Sequence, residues 1–212
     1  MTGAGASEAG TAVRILMIGS GLPRLPSGGL AGEGLARGLL ALDCEVVLLL
    51  PGSRSQGSEA VESTGRLRLI PVNASLVRYG RASGPFGEDR GDAVSRLAAV
   101  ARVVARQERF DVIHAHDWMA FPAGLAALSE SGRPLVAHVH ASDVSPGGVL
   151  TGDPLVREIE HAALRRADRV LCGSRLAADF VRRYGADPER IRILDGEFFA
   201  CRRPSALSSL IS

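Results

Sequence analysis

The sequence predicts one α/β domain with a doubly wound, mostly parallel sheet and helices on both faces. Short runs rich in leucine and β-branched residues alternate with longer segments of helical apolar spacing, the pattern of stacked strand–helix–strand units. The clearest helical spacing is that of Leu97, Val100, Ala101 and Val104. A length of 212 residues is enough to bury one substantial core.

Seven strands and five helices are predicted in alternation along the chain. The strands are expected at residues 13–18, 45–50, 67–71, 112–115, 135–139, 169–172 and 191–194. The helices are expected at residues 30–41, 91–108, 119–129, 154–166 and 175–184. Residues 52–64 and 73–90 are rich in Gly, Ser and Arg and are predicted to be mobile loops. The domain is expected to span residues 13–196, between a disordered tail at 1–12 and an irregular tail at 197–212.

Charge and cysteine content exclude several classes of protein. The 25 basic residues nearly balance the 23 acidic ones, so the net charge of +2 gives no reason to expect a nucleic-acid partner. Cys44, Cys172 and Cys201 lie far apart without a CxxC pair, which favours a reduced, cytoplasmic protein. No apolar run approaches the roughly 18 residues of a membrane span, so no transmembrane segment is expected.

A glycine-rich segment follows the first predicted strand and contains Gly19, Gly21, Gly28 and Gly29. In open parallel sheets the ligand lies beyond the carboxyl ends of the strands, and backbone amides at a helix start bind phosphate well. Gly28 and Gly29 are therefore candidates for a phosphate-binding loop. A dinucleotide fingerprint is disfavoured because Arg24 occupies the position of its third glycine. The alternative that Gly28 and Gly29 only turn the chain stays open.

Histidines occur at alternate positions near the ends of two central strands. His114 and His116 should share one face of their strand, and so should His138 and His140. If the strands are adjacent, four imidazoles come together, which suggests a metal site. If His114 and His138 point into the sheet interior, His116 and His140 face the cleft.

A metal-hydrolase motif is incomplete at this position. The His-x-His-x-Asp-His pattern requires Asp and His where this chain has Trp118 and Met119. We therefore predict no metal, and a metal-dependent hydrolase remains the third of three candidate functions.

Several runs taken together resemble the retaining glycosyltransferases of the glycogen-synthase-like group, family four, which have the GT-B fold. The matching runs are the glycine-rich segment, His-Ala-His-Asp-Trp at 114–118, Val-His-Ala-Ser-Asp at 139–143, and the stretch from Ile159 to Arg175. Their order and spacing extend over residues 13–194. The resemblance implies a Rossmann-like N-terminal domain that holds the acceptor, while a second domain holds the sugar nucleotide.

The resemblance also implies roles for individual residues. Gly28 and Gly29 would face the donor diphosphate or an anionic acceptor, and His140 would border the transferred sugar as the catalytic residue. The residues expected on the acceptor side are His116, Asp117, Trp118, Arg157, Ser174 and Arg175. The donor substrate would be a nucleotide sugar, with no resident cofactor, and the acceptor a glycan, a lipid-linked group or a small molecule.

Purely structural roles are alternatives for some of these residues. Asp117 is also suited to cap the helix that follows it, and Arg157 to form a surface ion pair with a nearby acid. Asp168 and Glu160 are expected to be structural.

The sequence departs from the family pattern after its last strand. Leu194-Asp195-Gly196 stands where the family has a Pro-Asn-Gly turn into the second domain. Since no donor-binding domain follows, we expect either a fragment or a chain that works with a separate donor-domain chain. The second candidate function is a non-catalytic acceptor-binding or partner subunit.

Overall fold

The computed structural model describes residues 12–19, 31–51, 65–72, 88–139 and 154–194. The strands are β1 Arg14–Ile18, β2 Glu45–Pro51, β3 Leu67–Val72, β4 Val112–His116, β5 Leu135–Val139, β6 Arg169–Cys172 and β7 Ile191–Ile193. The helices are α1 Ala31–Leu40, α2 Glu88–Gln107, α3 Asp117–Ser131, α4 Pro154–Arg166 and α5 Arg175–Arg183, and a 3₁₀ helix at Pro188–Arg190 precedes β7.

All seven strands pair in parallel in one sheet of order β3-β2-β1-β4-β5-β6-β7. The chain builds the sheet outward from β1 in one direction and then from β4 in the other. This is the doubly wound, Rossmann-like topology that the sequence predicts.

Helices cover both faces of the sheet, but unevenly. Along β1, Leu16 and Ile18 join a core cluster with residues of α2, α3, α4 and α5, whereas Ile15 and Met17 join a second cluster with residues of α1. We call these the α3 face and the α1 face. The alternation of a strand assigns successive side chains to opposite faces, which explains both clusters.

Helix α3 lies unusually close to the sheet at Gly124. A Cβ atom placed there would stand 2.8 Å from Ala115 Cβ and 3.0 Å from Leu135 Cδ1. A side chain would therefore collide with β4 and β5, and glycine at this position permits the close packing of α3.

Two helix starts differ from the sequence prediction. Helix α2 begins at Glu88, so the last three residues of the loop predicted at 73–90 are helical, and α3 begins at Asp117 rather than at residue 119. The rest of that loop, the loop at 52–64 and the two predicted tails, except residue 12, lie outside the described residues.

An ion-pair network at the amino edge of the sheet joins β1, β3 and the residues that follow α2. The Glu108 carboxylate accepts hydrogen bonds from Arg14 Nη2 at 2.6 Å and from Arg68. Asp111 Oδ2 accepts one from the backbone N–H of Arg14 at 2.8 Å. Burial alone would raise the pKa of Glu108, but the hydrogen bonds from Arg68 and Arg14 outweigh it and lower that pKa below its usual value.

Replacing Glu108 by Gln is expected to lower the free energy of unfolding at neutral pH by roughly 1 kcal/mol. Because the folded-state pKa of Glu108 is lowered, its contribution is present above the unfolded pKa of about 4.3 and lost as pH falls through the folded pKa. The difference in unfolding free energy between the wild type and the variant should therefore narrow as pH falls below about 4.3 and close below the lowered folded-state pKa. Urea unfolding at pH 7 and pH 3.5 measures it.

The exposed Glu158 of α4 provides the control for this experiment. Glu158→Gln should unfold like the wild type at both pH values. A gap of equal size at pH 7 and pH 3.5 for Glu108→Gln would contradict the assignment of the ion-pair network.

Candidate functional site

The carboxyl edge of the sheet, where β1 and β4 lie side by side, is the candidate site. The chain leaves β1 toward α1 on one face and leaves β4 directly into α3 on the other. A crevice at this point is where doubly wound sheets bind ligands. β5 pairs with β4, so β1, β4 and β5 end at the same edge. The predicted residues Gly28, Gly29 and His140 lie outside the described residues, and their roles stay predictions.

Asp117 has a strained backbone at this edge. Its φ of 63° is in the left-handed region, which non-glycine residues adopt at a cost, and it is only 3% exposed. The N-cap residue of α3 is His116, which makes no side-chain capping hydrogen bond, so Asp117 is the first residue of the helix and not its cap. A strained backbone persists only where the surrounding structure holds it in place. Strained, buried polar residues of this kind are concentrated at functional sites.

Three histidines, His114, His116 and His138, form one buried group that we call the histidine cluster. Their exposures are 6%, 1% and 0%, and their ring centroids lie 4.4, 4.8 and 5.4 Å apart. His114 and His116 share a face as the sequence predicts. The β4–β5 pairing sets His116, the last residue of β4, opposite His138, so the three rings lie together. That His116 faces the cleft stays a prediction, and so does its part in acceptor binding.

Trp118 is half-buried and packs against the core cluster of the α3 face. This contact holds the first turn of α3 against the sheet. An acceptor role for Trp118 stays a prediction.

The remaining predicted residues lie in the first turns of α4 and α5. Ser174 is the N-cap of α5, and its side chain accepts a hydrogen bond from the backbone N–H of Ala177 at 3.1 Å. Arg175 and Arg157 are exposed, and Arg157 forms no ion pair with another residue in the described part of the chain. The amino ends of α3, α4 and α5 thus lie at the edge where β4, β5 and β6 end, and their dipoles favour anions there.

Asp168 and Glu160 are the two residues for which the sequence predicts a structural role. Asp168 Oδ2 accepts a hydrogen bond from the backbone N–H of Leu135 at 2.8 Å, and its own N–H donates to the Leu135 carbonyl at 2.8 Å. These bonds join the starts of β5 and β6, as expected for a structural residue. Glu160 is buried on α4.

Neither described cysteine is suited to nucleophilic chemistry. Burial raises the pKa of the Cys172 thiol to about 12, against a smaller lowering by Arg182. Burial also raises the pKa of Cys44. Since the thiolate is the reactive form, these two thiols are packing residues.

These features define a class of protein: doubly wound α/β domains, in which ligands bind at a switch point between two central strands. The chain belongs to the glycosyl transferase 4-like domain family, whose model matches residues 31–195. In the part of the chain that the structure describes, every helix is too short or too polar to cross a membrane.

Curated relatives are D-inositol 3-phosphate glycosyltransferases. The chain is 30% identical to the one from Xylanimonas cellulosilytica over 175 residues, which is 76% of this chain and 39% of that protein. It is 35% identical to the one from Saccharomonospora viridis over 130 residues, which is 55% of this chain and 30% of that protein. The chain thus spans well under half the length of these relatives.

Solved structures share the fold. A sucrose-phosphate synthase from Thermosynechococcus elongatus aligns with a TM-score of 0.64 at 16% identity over 93% of this chain and 97% of that chain. HepE from Anabaena, in complex with UDP and glucose, aligns with a TM-score of 0.54 at 19% identity over 86% of this chain and 44% of that chain. At these identities the likeness concerns the fold alone.

Proposed function

We propose that this chain is the acceptor-binding half of a retaining glycosyltransferase that takes its sugar from a nucleotide sugar. The observation that carries the proposal is the strained, buried Asp117 at the β1–β4 switch point of a glycosyl transferase 4-like domain. A cytoplasmic setting, where nucleotide sugars are made and used, is part of the same proposal.

Acceptor binding is assigned to residues at the carboxyl edge. The Asp117 carboxylate would accept a hydrogen bond from an acceptor hydroxyl, beside His116 and Trp118. Arg157 and Arg175, exposed in the first turns of α4 and α5, are suited to an acceptor phosphate because a guanidinium binds phosphate through two parallel hydrogen bonds. Ser174 caps α5 and so fixes the position of Arg175.

Catalysis is assigned to the segments that follow β1 and β5. We propose that His140 borders the transferred sugar and that amides of Gly28 and Gly29 bind the donor diphosphate. In a retaining transfer of this kind the leaving phosphate serves as the base for the acceptor hydroxyl. The protein then adds positioning and hydrogen bonds that stabilise the departing charge.

The opposite wall of the cleft would come from a donor-binding domain, on the same or a separate chain. The names of the relatives make D-inositol 3-phosphate the first acceptor to test, and the UDP of the HepE complex makes UDP-sugars the first donors. A glycan or lipid-linked acceptor is tested in parallel.

Nucleotide release tests the proposal. The 212-residue chain is incubated with UDP-, GDP- and ADP-sugars and D-inositol 3-phosphate. It is expected to release negligible nucleotide, because transfer requires both substrates to be positioned and the proposed role of this chain is to position the acceptor. Joining it to the donor-binding domain of the Xylanimonas cellulosilytica relative should restore transfer, and His140→Ala in that chimera should reduce it.

Two results would contradict this proposal. Robust nucleotide release by the chain alone would show a complete enzyme. A correctly folded chimera that binds donor and acceptor without transferring sugar would favour the non-catalytic binding module.

A further inference from the structure

The histidine cluster lies on the α1 face of β4 and β5, within apolar surroundings. Met17 pairs in register with His114, and Leu171 with His138, so the rings of the cluster stand between buried apolar neighbours of β1 and β6. Three imidazoles thus lie together in an apolar part of the core, within reach of one another.

We propose that the histidine cluster binds one divalent transition-metal ion such as Zn²⁺ through one nitrogen from each of His114, His116 and His138. The three nitrogens lie within 4.8 Å of one another, close enough to converge on one ion after small side-chain movements. This assignment departs from the sequence prediction of no metal. It goes beyond sugar transfer and does not rest on the acceptor site, with which it shares only His116.

The spacing of the rings fits a shared ion. With Zn–N distances of about 2.0–2.1 Å and tetrahedral angles, the centroids of two bound imidazoles stand about 5 Å apart. The observed separations of 4.4, 4.8 and 5.4 Å bracket that value. Strand pairing between His116 and His138, and the two-residue spacing of His114 and His116, fix the backbone positions that set these separations.

The orientations of the three imidazole rings must change when a metal ion binds. The planes of His114 and His116 are inclined by 24° and those of His114 and His138 by 19°, so these two ring pairs are stacked, whereas His116 and His138 are tilted by 44°. Rotation about the Cβ–Cγ bond turns the ring nitrogens toward a common point. This torsion is broad for histidine, and because the rings are buried, the rotation also requires small shifts of the side chains packed against them.

The ligand set selects the class of metal. Neutral imidazole nitrogens suit Zn²⁺, Co²⁺, Ni²⁺ and Cu²⁺, whereas Mg²⁺ and Ca²⁺ require oxygen ligands. Asp117, the residue after His116, places an acidic side chain at the same strand end, which would offset part of the charge of a buried dication. Three protein ligands leave one position for water.

Metal titration of the chelator-treated chain, free of any oligohistidine tag, tests the proposal. We expect one equivalent of Co²⁺ to give the visible absorption bands of a tetrahedral site, and Zn²⁺ to displace it. Zn²⁺ at a hundredfold excess over its Kd should raise Tm by about 5–10 °C, because an ion that binds only the folded chain stabilises it.

Single substitutions locate the site. His138→Leu should weaken Zn²⁺ binding by more than about a hundredfold, since losing even an outer-shell partner typically costs 10- to 100-fold. His161→Ala, at an exposed histidine of α4, should bind like the wild type. If His138→Leu does not fold, His114→Gln answers the same question. Absence of stoichiometric binding to the wild type, or undiminished binding by folded cluster variants, would overturn the proposal.

Discussion

Asp117→Gly is expected to leave the stability of the domain nearly unchanged, because relief of backbone strain offsets the loss of side-chain contacts, while weakening acceptor binding by roughly 10- to 100-fold. Glycine adopts a φ of 63° freely, so the substitution removes a backbone cost of about 1–2 kcal/mol. It also removes the carboxylate, and with it a hydrogen bond of the charged class to the acceptor. Urea unfolding measures the first effect, and calorimetric titration with D-inositol 3-phosphate measures the second.

Asp43→Gly is the matched control because Asp43 has nearly the same backbone angle, a φ of 62°, in the turn between α1 and β2. Asp43 is exposed and pairs with Arg66 far from the carboxyl edge. Asp43→Gly should therefore bind acceptor normally. Equal acceptor affinity in the wild type and Asp117→Gly would show that the Asp117 carboxylate does not contact the acceptor.

Gly124→Val is expected to lower the free energy of unfolding by about 3 kcal/mol or more. Its Cβ atom alone would stand 2.8 Å from Ala115 Cβ, and the added methyl groups have no space between α3 and the sheet. Ala115 Cβ is fixed to the backbone of β4 and cannot move as the end of a long side chain can, so α3 must shift outward. Thermal and urea unfolding measure the loss.

Gly38→Ala is the comparison variant, and it is expected to raise the free energy of unfolding rather than lower it. A Cβ atom at Gly38 of α1 meets nothing within 4 Å, so alanine should stabilise the helix by up to about 1 kcal/mol through its higher helix propensity. A Gly124→Val protein that unfolds within about 0.5 kcal/mol of the wild type would contradict the close packing of α3.

The strands and helices could be predicted because their signals are local. Strands β5 and β6 and helix α4 have the predicted bounds, since each is an apolar run or an apolar period ended by polar or turn residues. The start of α2 was missed because residues 88–90 are two acids and an arginine, without the apolar spacing that marks the helix farther along.

The site could be predicted only in part. Strand alternation placed His114 and His116 on one face, but the position of His138 opposite His116 depends on the β4–β5 register, which the sequence does not specify. The φ of Asp117 was equally beyond reach, because an aspartate before a helix ordinarily takes an extended conformation and caps it. Arg14 and Glu108 are 94 positions apart, and only the fold brings them together.

The two outermost strands in the described part of the chain, β3 and β7, also bear on how copies of this protein behave at high concentration. An open strand edge is a template for polymerisation, and natural sequences obstruct it with charge and proline. On β3 the obstruction comes from Arg68 and from Pro71, which has no N–H to donate. On the short β7 it comes from the exposed Arg192. Aggregation by edge-to-edge strand addition is therefore disfavoured at both margins.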